Sequence, residues 1–535
     1  MEIETMVLKN RNKVMEAYER DNEFIHNFFD YKNERSSYPE RLAELRNRSF
    51  LRNELSSVIR SFMEPFGISK KASIHLEELT ENGVVVIGGQ QAGIMTGPLY
   101  SIHKAITVIL LAEKKRRELG VPVIPVFWVA GEDHDLDEIN HVYTETSNGT
   151  MKLKYPEKFI LKLMASDAKY SSKEMTTFIE NVFRQFGETE HTRALMEEVL
   201  TAADMEETFT GFFVRLINGL FHEQGLLFID SAYKPLREIE KSHFAQFIVK
   251  SDELAKLVVE KEEQFSQLGF GKPIEAEKEA AHLFYVHETG RVLLSKEDGD
   301  FVNDSTGIRF TRDEMLHIAN NKPWLLSNNV ATRPIMQDLV FPVLAFVGGP
   351  GEIAYWALLK EAFQLFNIRM PIIAPRISMT LVSKRAKQAM ESTSMTLEEV
   401  FAGKTPEVRE QFVHSLQNER FENLILETEK QLKSKYEELE VVSSIAMRQL
   451  LEKNLKFHQK QLNYLRKKAE EELLIRHESE LRKYSIIENE LFPGGSLQER
   501  IYTPYLFMNQ YGPDLVKDLL RQPIKMDGTH QIIYL

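Results

Sequence analysis

The stretch VVVIGGQQAGIMTGPLYSIHK, from Val84 to Lys104, decides how this chain is read. Val84–Ile87 is a short apolar run suited to a buried strand, and a glycine-rich turn follows it. Pro98 then fits the first helical position, where its missing N–H is no loss. Leu99, Ile102, Ile106, Ile109 and Leu110 fall on one helix face, and Gly120 closes the helix. A strand, a glycine turn and a helix start aim backbone N–H groups and a helix dipole at one spot, which suits an anionic ligand. His103 and Lys104 lie one to two turns into that helix.

Outward from this unit, Val123–Val129 reads as a second strand, although Pro125 counts against a central position. The strand–helix–strand unit predicts two parallel strands with a right-handed crossover. Residues 1–80 read as helical. Residues 151–225 read as a mostly helical, polar insertion, Leu226–Asp230 as a short strand, and 236–325 as a second insertion with a short strand at Val292–Leu294. The alternation then resumes with Phe341–Val347 (strand), Gly348–Gly351 (turn), Glu352–Phe366 (helix) and Pro371–Ala374 (strand). The predicted fold class is α/β, a Rossmann-like parallel-sheet core carrying helical insertions and a long coiled-coil-like helical domain. The predicted segments are 1–150 and 326–380 for the core, 226–235 for a core strand, 381–495 for the helical domain, and 496–535 for a return to the core.

From Glu407 to Phe492 there is neither Gly nor Pro, and strong helix formers dominate. Leu432, Tyr436 and Leu439, then Leu455, Leu462, Leu465 and Ala469, recur at heptad-like spacing. One straight helix would be about 130 Å long. A helical hairpin broken at Val441–Ser444 is the better reading.

The 535 residues are enough for roughly three or four units. A net charge of −13 argues against a general nucleic-acid binder. The absence of cysteine excludes disulfides, thiolate metal ligands and a cysteine nucleophile. No secretory signal or membrane-length apolar run is visible, so a soluble cytoplasmic protein is expected.

Three groups of residues carry candidate chemistry. Gly88-Gly-Gln-Gln-Ala-Gly93 is neither a dinucleotide fingerprint nor a Walker loop, but Gln90 and Gln91 place amide donors where a turn needs only glycine. Gly131–Glu138 crowds five acids and a histidine at a strand end. It reads as an acidic helix start, as a site for an amine or for general-base work, or as a metal site built from His134, Asp137, Glu138 and His141 on one helix face. The third group is Asn328–Arg333 with Gln337, followed by the 348–351 turn and Glu352. Arg333 there, and Arg376 beyond the last strand, each suit either a substrate carboxylate or phosphate or a structural salt bridge.

GGQQAGIMTGPLYSIHKA, FWVAGEDHDLDEINHV, NVATRPIMQD, FVGGPGEIAYW and LFPGGSLQER, in this order across the chain, resemble the bacillithiol biosynthesis cysteine-adding enzymes. The resemblance implies a Rossmann-like core, a coiled coil that supports a homodimer, and the joining of cysteine to glucosaminyl-malate as the last step of bacillithiol synthesis. It also implies nucleotide binding, ATP or ADP; a metal requirement is left open, and no metal ligand is assigned. On this reading His103, Lys104, Glu132, Asp133 and Asp135 are the catalytic candidates. Gln90, Gln91, His134, Asn329, Arg333 and Arg376 are the substrate-binding ones, and Gly88, Gly89, Gly93, Gly349 and Gly351 would face the nucleotide. Gly97–His103 also resembles the helix start of class I aminoacyl-tRNA synthetases; of their HxGH pair only His103 is kept, with Tyr100 and Ile102 at the other positions. The alternatives are a nucleotide-responsive coiled-coil scaffold without catalysis and a metal-dependent hydrolase.

Overall fold

The structure, a computed structural model, describes all residues except 9–11, 147–148 and 160. It divides into a unit made of Met1–Thr146, Thr150–Leu381 and Ser496–Leu535, and a second unit, Val382–Gly495. Among the described residues no helix is long and apolar enough to cross a membrane.

The first unit is built on five parallel strands, numbered here β1 (Val84–Gln90), β2 (Val123–Val129), β3 (Leu227–Asp230), β4 (Val343–Gly348) and β5 (Ile372–Pro375). Their spatial order is β5-β4-β1-β2-β3, the doubly wound order in which the winding direction reverses between β1 and β4. β1 runs three residues further than its apolar run predicts, through Gly88, Gly89 and Gln90, because all three pair with β2. The turn beyond it is tight: Met95, Thr96 and Gly97 all have positive φ, at 51°, 68° and 66°. Pro98 is the N-cap rather than the first turn of helix α1 (Leu99–Leu119), and Gly120 closes that helix in the left-handed conformation.

Pro125 sits in a central strand after all. The Pro122 carbonyl accepts from Val84 N, and the Val129 carbonyl accepts from Ser231 N. Odd-numbered residues of β2 therefore face β3, where pairing begins only at Val126↔Leu227. The missing N–H of Pro125 falls before that ladder starts.

Elsewhere the structure corrects several expectations. Residues 1–80 are not wholly helical: Glu2–Met6 is a strand, paired antiparallel with His530–Tyr534 at the end of the chain. The first insertion is not polar throughout, since Phe209–Phe221 buries most of its residues. The second insertion opens with the 34-residue helix α2 (Lys234–Gln267) and continues as an antiparallel meander that includes Ala280–His287 and Gly290–Glu297; Leu326–Asn328, expected in the core, instead joins this sheet beside Ala280–His287. Helix α3 (Thr332–Val340) leads into β4. The helix expected over 352–366 is two, α4 (Pro350–Trp356) and Lys360–Leu365.

In the second unit, Glu419–Val441 and Ile445–Arg476 form the expected hairpin, broken at residues 442–444. Tyr436 Oη donates to Asn454 Oδ1, and Arg466 Nε donates to Glu422 Oε2 at 2.9 Å, so the two helices pair antiparallel. Ile445–Arg476 buries no residue within one chain.

Gly131, at the end of β2, has no room for a side chain: an added Cβ would stand 2.1 Å from Ser166 Oγ and 2.3 Å from Asp230 Oδ1. Gly131→Ala is expected to destabilise the fold by about 1–3 kcal/mol. A lowered thermal-melt midpoint checks this; an unchanged one would show that the loop yields.

Candidate active site

A cavity of about 270 Å³ opens beyond the carboxyl ends of β1, β2 and β4, where ligands sit in open α/β sheets. Every residue on its wall belongs to the first unit. Gly89, Gln90 and Gln91 contribute one edge, and Trp128, Ala130 and Asp133 another. Arg333 and Gln337 come from α3, Gly349, Gly351, Glu352, Tyr355 and Trp356 from the β4 turn and α4, and Arg376 and Arg500 from further along the chain.

The centre of the wall is an ion pair that bridges the switch point. Lys104 Nζ, almost fully buried, donates to the Gly89 carbonyl at 2.6 Å and to Glu352 Oε2 at 2.5 Å. Gly349 N donates to the same Oε2 at 2.8 Å. Burial pushes the Lys104 ammonium down from its ordinary range, and Glu352 opposes that shift.

Behind the second edge stands Glu132, with no exposed surface. Its Oε1 accepts from Arg333 Nε at 2.7 Å. Its Oε2 accepts from Arg237 Nη2 at 2.5 Å and from Ser327 Oγ at 2.7 Å. Burial alone pushes the Glu132 carboxyl up, but the guanidinium groups of Arg333, Arg237 and Arg291 outweigh it and hold the group down at about 2. Arg333 also donates through both terminal nitrogens to Asp133. A third buried cluster joins Arg376 to Glu499 at 2.6 and 3.1 Å, and Glu499 Oε2 to His103 Nδ1 at 2.8 Å. Burial lowers the His103 pKa, opposed by Glu499.

The expected site residues therefore separate. Lys104, Asp133, Gln90, Gln91, Arg333, Arg376, Gly89, Gly349 and Gly351 line the cavity. Glu132 does not reach it, because its oxygens are filled by arginines. His103 does not either; it is fully buried and communicates with the cavity only through Glu499 and Arg376. Asp135 is exposed and off the cavity wall. His134 lies against Arg291 and the Phe284 ring, and Asn329 is spent capping α3 and holding His282. Gly88 is pressed on α1, with an added Cβ 2.9 Å from Val108 Cγ2, and Gly93 on Gly97, 2.7 Å from its Cα. The helix face proposed for a metal does not form: the helix is only Leu136–Ile139, and His141 opens a strand.

Residues 1–377 match the family model described as bacillithiol biosynthesis BshC, N-terminal Rossmann-like domain, and 379–535 match the BshC C-terminal coiled-coil domain. The chain belongs to the BshC family. A relative from Lysinibacillus sphaericus is 44% identical over 538 residues, covering 100% of both chains. One from Bacillus velezensis is 36% identical over 544 residues, again covering 100% of both. Each carries the name "Putative cysteine ligase BshC".

Several site residues of this BshC chain escape sequence reasoning. Tyr100, Trp128, Tyr355, Trp356 and Arg500 line the cavity, while Arg237, Arg291 and Glu499 hold its charged wall from behind. Glu499 and Arg500 lie inside the LFPGGSLQER stretch, which is a usable signal; Arg237 and Arg291 sit in insertions with no local pattern.

Because the folded-state pKa of Glu132 lies below its unfolded value, the stability it contributes is complete above the ordinary carboxylate range. That contribution is lost as pH falls toward 2. A drop from 4.5 to about 2 corresponds to about 3 kcal/mol. Glu132→Gln is expected to lose about that much stability at neutral pH, with the gap to wild type narrowing as pH falls below about 4.5. Urea denaturation from pH 7 to pH 3 checks it; a gap independent of pH would contradict the assignment.

Proposed function

We propose that this chain is the ligase that joins cysteine to glucosaminyl-malate through an amide bond, completing bacillithiol. The observation that carries the reading is the mixed charge of the cavity: Lys104, Arg333, Arg376 and Arg500 share it with Asp133 and Glu352. Substrates that bring carboxylates and an amine together need such a wall. The names of the relatives support the ligase over the scaffold and hydrolase readings.

Amide formation needs three things from the protein: a grip on an anionic, activated carboxyl, a site for the malate carboxylates, and a neutral amine held against the acyl carbon. Arg500 carries no ion pair among the described residues and is open to an incoming anion. Arg376 and Arg333, already tied to Glu499 and Asp133, add fixed positive potential. Gln90 and Gln337 line the cavity with amides that make no side-chain hydrogen bond among the described residues, and they suit sugar hydroxyls. A nucleoside triphosphate such as ATP, when bound, supplies the activation of the cysteine carboxyl. Arg500 and the backbone N–H of Gly351, where an added Cβ meets nothing, are the groups that would hold its phosphates, with Lys104 adding positive potential while it stays bound to Glu352. We place the reaction in the cytoplasm.

We also propose a homodimer through the hairpin. Val441, Val442 and Ile445 are each about four-fifths exposed, and Leu450, Phe457 and Ile475 more than half, which a second copy would cover.

Purified protein given cysteine, glucosaminyl-malate and ATP is expected to release bacillithiol, read by mass spectrometry. No product across varied nucleotides and divalent metals would overturn the ligase reading. Replacing residues 419–476 by a short Gly-Ser linker is expected to turn a dimer into a monomer by light scattering. A persisting dimer would place the contact elsewhere.

A further inference from the structure

Amide formation releases a proton from the attacking nitrogen, so a base must stand on the cavity wall. The candidates on or behind that wall differ in what their oxygens already hold. Both oxygens of Glu132 are filled by Arg333, Arg237 and Ser327. Glu499 gives both of its oxygens to Arg376, and its Oε2 also to His103 and Met379 N. Asp133 faces both terminal nitrogens of Arg333, with Arg291 Nη1 3.6 Å from Oδ1. A carboxylate with both oxygens engaged by cationic donors has no open oxygen to offer an incoming N–H, and guanidinium groups hold it ionised.

Glu352 is different. Its Oε2 takes both contacts, from Lys104 Nζ at 2.5 Å and Gly349 N at 2.8 Å, while Oε1 makes no hydrogen bond among the described residues. The side chain is 25% exposed and lines the cavity. The two donors on one oxygen fix the carboxylate and leave the other oxygen open. Its backbone is set by α4, with Pro350 in the first turn and Gly349 as N-cap.

We propose that Glu352 is the catalytic base of the ligation, with Lys104 as its positioning residue. The assignment rests on the amide-ligase reading above. The amine lone pair forms the C–N bond at the activated carboxyl carbon of cysteine, and Oε1 takes the proton the nitrogen sheds. The bond from that carbon to the leaving oxygen breaks, and its electron pair leaves with the departing anion. Lys104 keeps Oε2 occupied, so that the proton is received on the cavity side.

The test is steady-state kinetics of Glu352→Gln beside wild type, with cysteine, glucosaminyl-malate and ATP. The amide keeps an oxygen for Lys104 and Gly349 but accepts no proton. The expected result is a kcat lowered about 10²-fold or more, with KM for both substrates within about twofold, measured below the variant's thermal melt, which is expected to fall because the buried Lys104 ammonium loses its counter-charge. Glu352→Ala is expected to regain turnover when formate is added. A kcat near wild type in E352Q would overturn the assignment while leaving the ligase reading intact. So would a raised KM for cysteine at unchanged kcat, which would make Glu352 a binder of the cysteine ammonium. No product from wild type would remove the ligase reading and this assignment together. Should E352Q not fold, Glu352→Asp keeps the charge but withdraws the oxygen by one methylene. A kcat about 10²-fold down would then support the role, and a wild-type kcat would overturn it.

Discussion

The charged wall of the cavity depends on one buried carboxylate. Glu132 has no exposed surface, and an unpaired charge in that position would cost several kcal/mol. Its partners come from far apart in the chain: Arg237 from α2, Ser327 and the Asn328 N–H from the Leu326–Asn328 strand, and Arg333 from α3. Arg291, from the Gly290–Glu297 strand, reaches the same cluster through Ser327. Both insertion elements and the core helix thus converge on the end of β2, which is why insertions with no local signal belong to the site. Arg333, held by Glu132 at its Nε, can then present its other nitrogens only to Asp133. The geometry of that cavity edge is set from behind.

The opposite edge is built by a shorter circuit. Lys104 follows β1 and Glu352 follows β4, the two strands between which the winding reverses. Helices that leave the sheet in opposite senses open a crevice there, and the Lys104–Glu352 pair spans it. The bond from Lys104 to the Gly89 carbonyl ties the ammonium to the same strand end. Gly89 leaves no alternative, since an added Cβ would stand 2.7 Å from the Trp128 carbonyl.

Much of this was legible in the sequence. The apolar run before Gly88, the left-handed cap at Gly120, the parallel repeat of strand, turn and helix at 341–374, and the hairpin break at 441–444 all follow from local physics: periodicity, backbone freedom and helix propensity. The roles of neighbouring residues were not legible, because they are decided by partners hundreds of residues away. Glu132 and Asp133 are adjacent acids, yet one is sealed and one lines the cavity, a difference made by Arg237 and Ser327. His103 precedes Lys104 on one helix, yet it turns into the interior because residues 499–503 cover α1. Tyr502 O accepts from Leu99 N, and Thr503 Oγ1 donates to the Met95 carbonyl. Periodicity read one apolar face on α1 and had no means of seeing that second cover.

The site discriminates through the few polar groups that its own ion pairs leave open. An anion approaching Arg333 or Arg376 meets a cation whose best donors already serve Asp133 or Glu499, so these arginines act as fixed potential rather than as vacant hooks. The groups still open among the described residues are few: the guanidinium of Arg500, the amides of Gln90 and Gln337, the Tyr100 hydroxyl, the indole N–H groups of Trp128 and Trp356, and Glu352 Oε1. A preorganised field with so few free partners does not reward a single charged group strongly. It rewards a substrate that meets several open groups at once, which favours a polyfunctional molecule over any one of its fragments.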